Sequence, residues 1–284
     1  MFRSVRDKRF KYIRNYQPWQ PYAQHVSYMA QMPMYQELVR LQAAGELRGA
    51  PALWMAKTKP VEELYDCVAD PDEVVNLAEK PEHRATLERL RAESQRWMRE
   101  THDLGLLPEP LMLDRIAADP NGWREKVVSS GLLARLAEVE SQIRGDESAT
   151  ARLLAWSRDP EPAIRYWALL GLRQRESTGK DIELFRKLSQ DESPLVQIAA
   201  ADHLGKLGQA NEGLPILVAH LKHDNFAVAL HAALALDSWG EAARPAIDAL
   251  QAANVAPRGN DYVVRVSAHA LEQMGVKPKK QGNK

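Results

Sequence analysis

Three stretches of the second half decide the fold: DPEPAIRYWALLGL (159–172), DESPLVQIAAADHL (191–204) and DNFAVALHAALAL (224–236). Superposed, they set Ile164, Val196 and Val228 in one column, Ala168, Ala200 and Ala232 in the next, and Leu172, Leu204 and Leu236 in a third. A fourth copy continues the columns with Val263, Ser267 and Leu271. The copies are 32, 32 and 35 residues apart, and columns within a copy are 4 apart, the step that keeps side chains on one helix face. A further apolar stretch precedes each copy: Leu153 and Leu154, Leu184 and Leu188, Leu217 and Leu221, Ile247 and Leu250. The unit is therefore helix–turn–helix. No such pair buries its apolar face alone, so neighbours must share a continuous core, and a small residue in the middle column lets backbones approach. Gly208, Gly240 and Gly275 close three units, with Glu176 at that place in the first. Asp159, Asp191 and Asp224 are expected to cap the second helices, with Pro162 and Pro194 in their first turns.

These four units, over 149–276, resemble HEAT repeats. Such solenoids serve many purposes, and the pattern by itself names none. The first half reads differently. Residues 2–14 alternate and are rich in β-formers (Val5, Phe10, Tyr12, Ile13), with a turn at Asp7-Lys8. Residues 33–44 read as a helix that starts at Pro33 and stops at Gly45. Glu62 to Cys67 reads as a strand. Asn76 and Glu79 have the spacing of a capping box. From Pro81 to about Asp103 a long helix carries Leu87, Leu90, Trp97 and Met98 on one side, and Tyr65 and Trp97 are expected in the core. The fold class expected is α+β: a small antiparallel sheet with a helix after it (1–110), connecting helices (111–148), an all-α solenoid (149–276) and a disordered tail (277–284).

Composition narrows the function classes. Lys plus Arg is 38 and Asp plus Glu is 38 in 284 residues, a balance unlike that of a generic nucleic-acid binder. The single cysteine, Cys67, excludes an intramolecular disulfide and a cysteine-rich zinc site. No apolar run approaches the roughly 18 residues that span a bilayer, and MFRSVRDKRFKYIR has no apolar segment after its charges. Neither nucleic acid nor a membrane is expected as partner. No Walker loop, dinucleotide fingerprint, zinc-protease helix or nucleophile elbow occurs. His220 and His223 stand three apart without a third ligand nearby. His203, His231 and His269 read as packing or surface residues of the repeat helices.

Two segments of the first half together resemble one family. RSVRDKRFKYIRNYQPWQPY (3–22) and EELYDCVADPDEVVNLAEKPEHRATLERLRAESQRWMRETHD (62–103) look like the C-terminal subdomain of the sulfatases, most of all the heparan N-sulfatases. The matching residues are Arg3-Ser4-Val5, Asn15, Glu63-Leu64-Tyr65-Asp66, Asp70-Pro71, Glu73, Asn76-Leu77-Ala78, Trp97 and Glu100-Thr101-His102-Asp103. Read from the residues alone, these motifs are structural: a turn at Asp70-Pro71, a cap at Asn76, core aromatics. The resemblance implies hydrolysis of a sulfate ester or sulfamate on a glycosaminoglycan-like sugar, and an exported, periplasmic or secreted location. It also implies a formylglycine made from a Cys/Ser-x-Pro-x-Arg motif and a divalent metal, usually calcium, on oxygen ligands.

In the family those groups sit in a large N-terminal domain, which this chain does not contain. Cys67 is followed by Val-Ala-Asp-Pro, which does not fit the nucleophile motif. No catalytic, metal-binding or cofactor-binding residue is therefore expected here, and the chain alone is expected to be inactive. The missing catalytic domain is its expected partner, and an apolar face that would meet it is expected to be exposed. Six basic residues (Arg3, Arg6, Lys8, Arg9, Lys11, Arg14) could form a rim for anionic sugar. Arg14, Asn15 and His25, where the strand leaves the sheet, are the candidate substrate-binding residues. A second reading makes the chain a HEAT-repeat scaffold for a protein partner.

Overall fold

The structure, a computed structural model, describes residues 1–143, 147–175, 179–255 and 262–279. It divides into two compact units, Met1–Asp103 and Leu104–Lys284. The fold is α+β, with a small antiparallel sheet in the first unit and HEAT-like helical pairs in the second.

In the first unit β1 (Phe2–Arg6), β2 (Phe10–Asn15) and β3 (Glu62–Asp66) form an antiparallel sheet in that order. Asp7 makes the β1–β2 turn: its Oδ1 accepts from the Arg9 and Phe10 amides at 2.8 and 2.7 Å. Arg89 and those two amides hold the Asp7 carboxyl down at about 2. Across the sheet Val5 faces Tyr12 and Tyr12 faces Leu64. A 3₁₀ turn at Pro81–His83 leads into a long helix, Arg84–Glu100. That helix lays Leu87 and Leu90 on the same sheet face, where Tyr12, Leu64 and Leu90 are at most 1% exposed. Each side chain so buried contributes roughly 1.5–3 kcal/mol. Trp97 departs from expectation: it is 45% exposed. It lies only about 20° around the helix from Leu90 but two turns further along, past the cluster that Leu87 and Leu90 form with the sheet.

Between β2 and β3 run three helices, α1 (Ser27–Ala30), α2 (Pro33–Ala43) and α3 (Gly49–Trp54); the long helix is α4. Helix α2 starts at the expected proline. It stops at Gly45, whose φ of +69° is the left-handed conformation that suits glycine. Neither α2 nor α3 has a buried residue. Tyr28, Met34 and Leu53 are more than half exposed.

The second unit starts with α5 (Glu109–Ala118), α6 (Trp123–Ser129) and α7 (Leu132–Ser141). Four helix pairs follow: α8 (Glu147–Trp156) with α9 (Pro162–Leu172), α10 (Gly179–Leu188) with α11 (Pro194–Lys206), α12 (Ala210–His220) with α13 (Phe226–Trp239), and α14 (Ile247–Val255) with α15 (Tyr262–Gln273). The second helices pack in sequence, α9 on α11, α11 on α13 and α13 on α15. All twelve column residues are buried, and Ala168, Ala200, Ala232 and Ser267 are wholly enclosed. Close packing extends beyond the columns. A Cβ on Gly205 would run into the Trp239 ring, and one on Gly213 into the Ala201 carbonyl. Asp202 ties three helices together, accepting from Trp239 Nε1 at 2.9 Å and pairing with Arg173 at 2.6 Å. Glu176 lies outside the described residues.

Three expectations change here. The aspartates do not cap. Glu161 and Asn225 are the capping side chains, accepting from the Ala163 and Ala227 amides, while Ser193 makes no side-chain cap bond. Asp159 and Asp191 lie two residues upstream of the caps, accept from the Glu161 and Ser193 amides at 2.8 Å, and hold Arg135 and Arg165. The division between units falls after Asp103. Residues 104–110, grouped with the sheet by motif, serve the second unit: the Leu106 carbonyl accepts from Trp167 Nε1 at 2.7 Å, and the Pro110 carbonyl from Asn225 Nδ2 at 3.0 Å. In the tail, 277–279 are held, because Gln251 and Asn254 donate to the Lys277 and Lys279 carbonyls at 2.9 and 2.6 Å. The rest of the tail lies outside the described residues.

His231 on α13 packs edge-on to Tyr166 of α9, with ring centres 6.3 Å apart, and burial lowers its imidazole from 6.5 to about 4. The unfolded chain therefore takes up this proton first as pH falls, and stability drops between 6.5 and about 4. Between pH 6.5 and about 5 the expected loss is about 1.5 kcal/mol. Denaturant titrations at those two pH values should show it, and a His231→Phe variant should lose markedly less.

Candidate functional site

The residues that carry the family resemblance bond to one another. β3 presents alternate side chains to opposite faces of the sheet. On the α4 face Glu62 accepts from Arg91 at 2.6 and 2.7 Å and from the Tyr12 hydroxyl at 2.6 Å. Burial pushes the Glu62 carboxyl up, but Arg91 and Tyr12 outweigh it, so it is held below its ordinary value. On the other face Glu63 is 2% exposed and carries three donors: Asn15 Nδ2, the Tyr22 hydroxyl at 2.5 Å and the Tyr65 hydroxyl at 2.6 Å. Burial, and then Glu63 itself, pushes both tyrosines well above their ordinary range, so they remain donors. Asp66, at the end of the strand, pairs with Arg9 at 2.6 Å.

The remaining motif residues close the frame. Arg3 makes a two-pronged bond to Asp103 at 2.7 and 2.8 Å, joining the first motif of the unit to its last. Lys11 pairs with Glu73 at 2.6 Å. Asp70 accepts from the Val75 amide at 2.7 Å and forms the Asp-Pro turn. Asn76 does not cap a helix. Its Oδ1 accepts from the Leu64 and Ala78 amides, its Nδ2 donates to the Glu62 carbonyl, and the Leu77 amide bonds the Leu64 carbonyl at 2.7 Å. Residues 76–78 thus cover the outer edge of β3, whose backbone groups would otherwise stand open. Cys67 is half-buried, with Sγ 3.8 Å from a Glu73 oxygen.

The candidate ligand residues do not form one cluster. Arg14 and Asn15 are consecutive on β2 and face opposite sides of the sheet. The Arg14 guanidinium lies 5.8 Å over the Tyr16 ring, on the side where Arg14 stands between Arg3 and Glu62. Asn15 is 2% exposed and its amide is used by Pro60 and Glu63. His25 is exposed in the loop before α1. Of the six basic residues, Arg3, Arg9 and Lys11 are bound in ion pairs, while Arg6 is exposed. The part of Glu63 and Tyr22 was missed. The alternation in Glu-Glu-Leu-Tyr-Asp places Glu63 opposite Leu64, but no spacing links Tyr22 to it.

In the second unit a pocket of about 300 Å³ is lined by Arg115, Asp119, Trp123, Lys126, Ser130 and Glu161 among others. Its charges are matched internally, Arg115 with Glu161 at 2.8 Å and Lys126 with Asp119 at 2.7 Å. His220 bonds Gln197 at 2.7 Å, and His223 Nδ1 accepts from the Asn225 amide. Among the described residues no group of three or more His, Cys, Asp or Glu is placed to hold a metal ion, and no helix is long and apolar enough to cross a membrane.

Comparison with known proteins supports a likeness to sulfatases in the first half and HEAT repeats in the second, without singling out the heparan N-sulfatases. The HEAT-repeat family model matches residues 150–237 and 182–272. Two ulvan-active sulfatases of Formosa agariphila are similar over part of the chain. One is 45% identical over 116 residues, 41% of this chain and 20% of that protein. The other is 34% identical over 102 residues, 36% of this chain and 18% of that protein. The chain thus spans about a fifth of the length of the curated relatives it matches. It is similar to sulfatases over part of its length and carries HEAT repeats.

Asn76→Ala would leave the Leu64 and Ala78 amides without their acceptor and the Glu62 carbonyl without its donor. A loss of about 2–3 kcal/mol is expected in the first unit. Asn76→Asp keeps the acceptor oxygen and should lose less. Chemical denaturation followed at the sheet unit checks the order.

Proposed function

We propose that this chain is the C-terminal portion of a sulfatase, in which a small sheet subdomain is continued by HEAT repeats. The observation that carries the reading is the bonding within the sheet unit: Arg3 with Asp103, Asn15 with Glu63 and Asn76 with Leu64 are residues similar to sulfatases that hold one another in the frame of the fold. The catalytic work then falls to a separate portion of the enzyme. The substrate class is a sulfated polysaccharide, as the names of the relatives suggest. The motif resemblance to heparan N-sulfatases keeps both a sulfate ester and a sulfamate in view.

This chain has no Cys/Ser-x-Pro-x-Arg motif for a formylglycine. Among the described residues no three His, Cys, Asp or Glu side chains are grouped to hold a metal ion. The formylglycine and the calcium would both belong to the catalytic portion, which is also the proposed partner. The helices α1 to α3 support that pairing, because their uncovered apolar side chains Tyr28, Met34 and Leu53 need a neighbour. An exported location follows the same reading. The scaffold reading comes second because the chain already uses part of its second helices for itself: α5 packs on α13, and Arg115 and Asp114 hold Glu161 and Asn225.

Purified chain should show no turnover of 4-nitrophenyl sulfate above a buffer blank, with or without calcium. The reading frame upstream of Met1 in the genome should encode a Cys/Ser-x-Pro-x-Arg motif. Turnover by the chain alone would contradict the division of labour. A closed upstream frame, with no sulfatase gene product binding the chain, would contradict the sulfatase reading.

A further inference from the structure

Lys59 stands out among the charged residues of the first unit. It is 8% exposed, yet no hydrogen bond or ion pair reaches its Nζ among the described residues. Its one close neighbour of opposite polarity is the face of the Tyr22 ring, 5.4 Å away. Glu63 is the nearby negative charge. Its oxygens are engaged by Asn15, Tyr22 and Tyr65, and neither comes within ion-pair distance of the ammonium. A buried cation ordinarily has a partner, because removal from water is costly. Here that cost shows as an ammonium pulled below its ordinary value by burial, with Glu63 opposing.

The ammonium is also not sealed. The wholly enclosed polar side-chain atoms without a hydrogen bond are Arg165 Nε, Ser193 Oγ, His203 Nδ1 and Ser267 Oγ, and Lys59 Nζ is not among them. Its backbone is fixed, since the Lys59 amide donates to the Pro18 carbonyl at 2.7 Å. Tyr22, fixed through its hydroxyl to Glu63, stays 37% exposed beside it. The result is an ammonium with spare donors beside a partly exposed aromatic ring, with the Met1 α-ammonium as a second positive charge within electrostatic reach.

We propose that Lys59 and Tyr22 form a recognition subsite for an oxyanion carried on a sugar ring, with the ammonium taking the anionic group and the Tyr22 ring taking the sugar face. The ammonium would supply the charged donors that a sulfate or carboxylate needs, and stacking would favour a ring over a bare ion. The choice of a sulfated sugar as ligand rests on the sulfatase reading; the subsite itself rests on the geometry. This site is built from neither Arg14 nor His25, and it leaves Asn15 as support for Glu63.

The test is an NMR titration of the 284-residue chain, watching the Lys59 Cε and Tyr22 ring signals. The probes are glucose 6-sulfate, glucose and sodium sulfate. Saturable shifts at both residues are expected with glucose 6-sulfate, weaker ones with sodium sulfate and none with glucose. Lys59→Met should weaken glucose 6-sulfate about tenfold or more, and Lys59→Arg should stay within about threefold of the parent. Exposed Lys57→Met should change nothing, and circular dichroism of each variant checks folding. Unchanged affinity in Lys59→Met, equal shifts with glucose, or no shift in the parent chain would overturn the subsite. None of these would touch the sulfatase reading, which stands or falls on the upstream frame and on turnover.

Discussion

The alternation of side chains along β3 governs the first unit. Glu62 and Glu63 are neighbours in sequence, yet they face opposite sides of the sheet, and both are largely removed from water. An isolated buried carboxylate costs several kcal/mol. Glu62 answers that cost with the Arg91 guanidinium and the Tyr12 hydroxyl, and Glu63 with three neutral donors. Because Asn15 comes from β2, Tyr22 from the following loop and Tyr65 from β3 itself, one carboxylate fixes where three segments meet. Leu64, between the two acids, supplies the apolar contact, and its backbone is closed off by Asn76 and Leu77.

A different constraint rules the second unit. Its second helices pack so closely that the middle column, alanine or serine in every copy, is wholly enclosed, and glycines at 205 and 213 admit Trp239 and the Ala201 carbonyl. Spacing fixes the repeat, and hydrogen bonds then mark its borders. Gln209 N returns to the Leu204 carbonyl at 2.8 Å, and Val276 N to the Leu271 carbonyl at 2.9 Å. Gly208 and Gly275 supply the positive φ that this closure requires.

What could be read in the sequence was whatever is local or periodic. The columns were legible because the same residue types return at a nearly constant interval. The β1–β2 hairpin, the start of α2 at Pro33 and its stop at Gly45 were legible from turn and cap chemistry. The functions of single polar residues were not, because their partners are distant in sequence. Asn76 lies 12 residues from the Leu64 amide it accepts from, and Tyr22 lies 41 from Glu63. Spacing suggested a helix cap for Asn76, and tertiary pairing won. Lys59 carried no signal at all: its interest is an ammonium that meets an aromatic ring but no hydrogen-bond acceptor among the described residues, and that arises only in the folded chain. The resemblance to sulfatases was legible as a set of short motifs. The structure adds a physical reason for several of them: Arg3 bonds Asp103, Asn15 bonds Glu63, and Asn76 bonds the Leu64 amide.

That reason can be tested directly by native-state hydrogen exchange on the chain and on Glu63→Ala. The parent should protect the Leu64 and Leu77 amides and the β2–β3 ladder most strongly within residues 1–103, and less than the buried helices α9, α11 and α13. In the variant the account predicts that protection collapses across β1, β2 and β3 together, while α9, α11 and α13 keep theirs. A ladder that holds its protection without Glu63 would contradict the account, and would return the motif from the frame of the fold to the residues available for binding.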